Sequence, residues 1–135
     1  MRVTCIARRG ETLSTVYLDP RIPRTAETNF HLTVGREYVV YAIGMWSHQI
    51  WYYIIDDTEL WFPMAKPGPL FRVVDARVSR LWHLKQTKFC GDPGVLLAFE
   101  EWASDDRFYD RLSDQELVEC KIFKQRKSKM DAESE

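Results

Sequence analysis

Short apolar runs broken by proline, glycine and acidic turn residues dominate this chain up to about residue 99, a pattern that predicts β-strands rather than long helices. Val3 to Ala7 reads as a first strand and Leu13 to Leu18 as a second. Asp19-Pro20 and Ile22-Pro23 then interrupt the pattern, because proline lacks an amide hydrogen and drives the residue before it out of the helical region. Residues 19–31 therefore read as a polar loop. Glu37 to Trp46 is rich in Val, Ile and Tyr and reads as one central, largely buried strand. Ser47-His48-Gln49 turns the chain, Ile50 to Ile55 returns antiparallel, and Asp56 to Glu59 makes the next turn with side chains suited to bonding nearby amides. Pro63, Pro67, Gly68 and Pro69 break the chain again before Leu70 to Val74 resumes as a strand.

Two stretches fit strand and helix about equally. Residues 76–85 carry Val78, Leu81, Trp82 and Leu84, and a strand is the marginal preference. Residues 95–102 carry Val95, Ala98, Phe99 and Trp102, but the Gly91-Asp92-Pro93-Gly94 turn signal before them favours a strand over Val95 to Phe99. Helix is expected from Ser104, an N-cap residue followed by Asp105 and Asp106, whose carboxylates suit the positive end of a helix dipole. Ser113 and Glu116 have capping-box spacing, which predicts a second helix from about Asp114 to Met130 and a frayed tail beyond it. The expected fold is mainly β (α+β): a small twisted antiparallel sheet or partly open barrel of five to six strands with C-terminal helices. A single domain would comprise strands and loop over 1–31, the sheet core over 32–99, the helical segment over 104–130 and the tail over 131–135.

Composition narrows the class. Hydrophobic residues make up 45% and charged residues 29%, a balance that supports a core without disulfides or metals. The 13% aromatic content favours strands and leaves rings over for a binding face. A net charge of -1 removes any global pull toward nucleic acid or anionic membrane. Cys5, Cys90 and Cys120 are odd in number and widely spaced, which fits reduced cytosolic thiols. The N-terminus has no signal-peptide pattern, and Tyr38 to Trp46, the longest apolar run, is far short of the roughly 20 residues of a membrane span. The chain therefore reads as soluble and cytoplasmic.

Candidate chemistry is sparse. His31, His48 and His83 lack a second His or Cys at metal-ligand spacing, so no metal or cofactor is expected. Nucleophile elbows, phosphate-binding loops and dinucleotide fingerprints are absent. The most suggestive cluster is acidic and aromatic: Trp46, Trp51 and Trp61 flank a hairpin whose turn holds Asp56, Asp57 and Glu59. Carboxylates beside rigid aromatic surface could engage a basic partner. The plainer reading assigns the acids to turn chemistry and the tryptophans to the core, and turn chemistry alone already accounts for the acids. Lys124, Arg126, Lys127 and Lys129 form a short basic run, more often a solvated helix end than a phosphate-binding patch.

Several stretches carry a resemblance: L-x-V-G-R-E-Y-V-V-Y at Leu32 to Tyr41, W-Y-Y-I-I-D-D at Trp51 to Asp57 and P-L-F-R-V-V-D at Pro69 to Asp75. R-V-S-R-L-W at Arg77 to Trp82, A-F-E-E-W at Ala98 to Trp102 and F-Y-D-R-L at Phe108 to Leu112 continue it. Over about residues 32–130 the pattern resembles a family of small bacterial proteins similar to the immunity proteins that accompany toxins. The resemblance implies a cytoplasmic protein that neutralises a cognate toxin by binding it, and it transfers no functional residue. The leading expectation is thus a non-enzymatic module binding a protein, such as a basic toxin domain, through Trp46, Trp51, Asp56, Asp57, Glu59 and Trp61. The alternatives are a small-barrel nucleic-acid binder, disfavoured by the charge, and an enzyme built from scattered acids such as Asp56, Asp75 and Asp110.

Overall fold

A computed structural model describes residues 1–19, 24–89 and 91–135. Among these, eight strands form two antiparallel sheets and three helices close the chain. The strands are β1 (Arg2–Cys5), β2 (Glu37–Val39), β3 (Ala42–Trp46), β4 (Gln49–Ile54), β5 (Met64–Pro67), β6 (Phe71–Asp75), β7 (Trp82–Phe89) and β8 (Asp92–Phe99). The helices are α1 (Glu100–Ala103), α2 (Phe108–Ser113) and α3 (Leu117–Glu133). The smaller sheet has the order β2-β1-β6 and the larger β5-β4-β3-β8-β7. The fold is mainly β with C-terminal helices, as expected, and its eight strands form two sheets that are not closed into a barrel. Pro20, Pro23 and Cys90 lie outside the described residues.

Strand alternation explains how one sheet serves two cores. Ile43 pairs with Tyr52 and packs with the smaller sheet, whereas Ala42 pairs with Tyr53 and packs with the helices. The first core gathers Val3, Tyr38, Ile54, Leu70 and Phe71 together with the N-terminal loops. Ala98, Phe99, Trp102, Phe108, Leu112 and Phe123 build the second.

Several local expectations differ from the structure. The run Glu37 to Trp46 is two strands in different sheets, broken at the buried Val40 and Tyr41. Because Val40, Tyr41, Ala42 and Ile43 are all buried, the apolar run is continuous and hides the crossing. Leu13 to Leu18 is not a strand: it follows a 3-10 turn at Gly10–Thr12 and contains another at Thr15–Tyr17. Asp92, Pro93 and Gly94 belong to β8 instead of a turn. Pro93 is tolerated because β8 pairs there only with Lys88 of β7, beyond the last pair with β3 at Gly94.

The helical segment is also divided otherwise. Ser104 ends α1 and does not cap a following helix. Ser113 closes α2, its hydroxyl donating to the Asp110 carbonyl, so no capping box forms with Glu116. Helix α3 runs on to Glu133, held near its end by the Tyr41 hydroxyl, which donates to Asp131 at 2.7 Å. The Met1 amine donates to the buried Ser134 hydroxyl at 3.3 Å.

Candidate functional site

Ser47 and His48 both have positive φ, 46° and 63°, the geometry of a two-residue hairpin whose twist matches its strands. This turn joins β3 to β4 and sets Trp46 against Trp51, with ring centroids 5.4 Å apart and planes within 4°. Trp46 also stacks on Phe89 of β7 at 4.0 Å. Trp51 is only 3% exposed, covered by Tyr17 and by the Arg24 guanidinium 4.7 Å above its ring. Trp46 and Trp61 are half-buried, and Trp61 packs on Phe62.

The turn acids face inward or are already bonded. Asp56 is 4% exposed and accepts from the buried Lys66 ammonium at 2.7 Å and from the Thr58 amide and hydroxyl. Burial acts to raise its carboxyl, but the Lys66 and Thr58 hydrogen bonds outweigh that and hold it below the ordinary range. Asp57 accepts from Thr33, from the Tyr38 hydroxyl at 2.7 Å and from Arg36 at 2.8 Å. Burial opposes ionisation here too, and the same three donors prevail, so its carboxyl is held low. Glu59 is exposed. Of the acids expected to form a charged rim, Asp56 is therefore interior and Asp57 belongs to a bonded cluster.

A different feature gathers rings and free polar atoms. Between β7 and the α1–α2 connection lies a groove of about 680 Å³ lined by Tyr53, Leu96, Phe89, Trp102 and Tyr109. Lys85, Gln86, Thr87, Lys88, Asp105 and Asp106 supply its polar margin. Trp102 and Tyr109 stack with centroids 5.3 Å apart, and Tyr53 meets them edge-on at 5.0 and 5.4 Å. The Tyr109 hydroxyl is spent on the Pro63 carbonyl at 2.7 Å. Neither the Tyr53 hydroxyl nor the Trp102 indole N–H has a hydrogen-bond partner among the described residues, and neither atom is sealed from solvent. Burial pushes the Tyr53 hydroxyl up to about 12, so it is a neutral donor at physiological pH. An aromatic cleft of this size, lined by two residues with unpartnered donors, has the makeup of a binding site.

The margin is partly neutralised: Lys85 pairs with Asp106, and Asp105 with Arg111, which also holds Glu119. Sequence reasoning missed this site because its residues come from β4, β7, β8, α1, α2 and the α1–α2 connection. The signal that pointed toward it was the aromatic excess.

Other candidates are dispersed. Asp56 pairs with Lys66, Asp75 with Arg77 and Asp110 lies exposed on α2. No group of three or more His, Cys, Asp or Glu among the described residues could hold a metal ion. In the basic run, Arg126 grips Glu101 of α1 through two nitrogens and Lys127 pairs with Asp131. Among the described residues, no helix is long and apolar enough to cross a membrane. The chain matches no family model, no curated protein and no solved structure, so the resemblance to immunity proteins rests on the sequence motifs alone.

Proposed function

We propose that this chain is a non-enzymatic protein-binding module that receives its partner in the groove beside β7. The observation that carries this reading is the pair of donors, Tyr53 hydroxyl and Trp102 N–H, left without intramolecular partners amid stacked rings. Rigid aromatics lose little side-chain entropy on docking, and a partner acceptor that meets these donors gains against one that does not. Neutralising a toxin by occupying its surface is the form of binding that the sequence resemblance suggests. The hairpin turn now has a lesser part: with Asp56 and Asp57 taken up internally, Glu59 is the acid left to steer a basic partner.

Affinity capture from the source organism, followed by mass spectrometry, tests the proposal when run with two variants. Thr87→Arg fills the groove from a half-buried strand position, and Glu59→Gln alters only the turn. The expected result is a stoichiometric protein partner retained by the wild type and Glu59→Gln and lost by Thr87→Arg. No partner, or equal retention by all three, overturns it.

A further inference from the structure

The two sheets present four outer edges, and they are unequal. β2 has three residues, β5 has four and ends on Pro67, and β6 has five. β7 has eight residues and no proline, and among the described residues no strand lies on its outer side. A strand edge of that length offers a row of backbone donors and acceptors that another chain can pair with. Its side chains alternate: Lys85, Thr87 and Phe89 share one face and are half-buried, while Leu84, Gln86 and Lys88 share the other and are exposed, with Gln86 and Lys88 still reaching the margin of the groove. Leu84 is 65% exposed, an apolar contact left open on that second face.

We propose that the partner protein contributes an extended segment that adds to β7 as a sixth strand of the larger sheet. This deepens the reading of the groove as the partner surface and rests on it. Alternate side chains of the added strand would point toward the groove, and the intervening ones toward Leu84 and Lys88. Charge selects the occupant. β7 carries two lysines and no carboxylate, and Lys88 has no ion-pair partner among the described residues. A second copy of β7 would bring only more cations, so the complementary segment alternates apolar residues with a carboxylate placed opposite Lys88.

The test is selection of short random segments displayed on yeast against the full-length protein, followed by hydrogen exchange with the enriched peptides. Proline-free segments with alternating apolar residues and a carboxylate should be enriched. They should slow exchange at alternate amides of Trp82–Phe89, and Lys88→Glu should weaken them about fivefold to tenfold, the effect of exchanging cross-strand attraction for repulsion. Peptides that perturb Tyr53 and Trp102 without protecting β7 would overturn strand addition and leave the groove standing. Failure to enrich any segment, or binding away from both places, would overturn both. Protection of β7 that rises with protein concentration and needs no peptide would make a second copy the occupant and refute the acidic segment.

Discussion

The Asp56–Glu59 turn and the groove beside β7 hold similar ingredients, carboxylates beside large rings, yet they dispose of them in opposite ways. At the turn, two of the three acids are satisfied from within, Asp56 by Lys66 and Thr58 and Asp57 by Thr33, Arg36 and Tyr38, while Glu59 stays exposed. In the groove, the ions pair at the margin while the floor keeps two donors unspent. Buried polar groups that are fully bonded serve the fold, and those left open to solvent without a partner are available to a ligand. Exposure and bonding, not residue type, separate the two regions.

The largest expected effect lies at the turn. Lys66→Met strands the buried Asp56 carboxylate and should cost ~3–5 kcal/mol in urea or thermal unfolding, the penalty for breaking a buried pair. A cost under about 1 kcal/mol, the level of an exposed pair, would show that the turn is not anchored this way.

Acid and alkali probe the same contrast. Asp56 and Asp57 are held low in the fold, so their stabilisation is complete above an unfolded carboxylate value of about 4 and disappears as pH falls through the folded values. Asp57→Asn should flatten that acid limb. Tyr38 and Tyr53 are pushed up to about 12, mainly by burial. Their contribution is intact below about pH 10 and is lost as pH rises toward the folded values. Equilibrium unfolding across pH checks both limbs, and a profile flat above pH 10 contradicts the tyrosine burial.

Paired hydroxyl deletions sharpen the comparison inside the groove. Tyr109→Phe removes a bond to the Pro63 carbonyl and should cost about 1 kcal/mol. Tyr53→Phe removes a hydroxyl without an internal partner and should stay within about 0.5 kcal/mol. Equal losses from both would mean that the Tyr53 hydroxyl is structurally engaged.

How far these features are legible in sequence depends on the range of the interaction. The Ser47-His48 hairpin, the return strand β4 and the short strands β1 and β6 follow from local turn chemistry and alternation. The division of Glu37 to Trp46 between two sheets does not, because a run buried on both faces shows no period at the crossing. The 3-10 turns over Gly10–Thr12 and Thr15–Tyr17 are settled by packing: Tyr17 is buried against Trp51 and its hydroxyl accepts from the Ile50 amide. Strand β5 hides behind Pro63 and Pro67, which mark breaks elsewhere but are tolerated at a sheet edge. The acids of the turn were visible as a cluster, but their commitment to Lys66, Arg36 and Thr33 depends on long-range contacts. Tyr53, Trp102 and Tyr109 stood out only as aromatics in separate motifs, and strand register with helix packing brings them together.

The most direct test of the groove as the partner surface is calorimetric titration of the captured partner into Thr87→Arg and Asp57→Asn, each checked for folding by circular dichroism. The account predicts that Thr87→Arg weakens binding by more than about tenfold, while Asp57→Asn leaves it within about twofold, because the first blocks the groove and the second alters an internally bonded turn. Unimpaired binding by Thr87→Arg, with loss in Asp57→Asn, would contradict it.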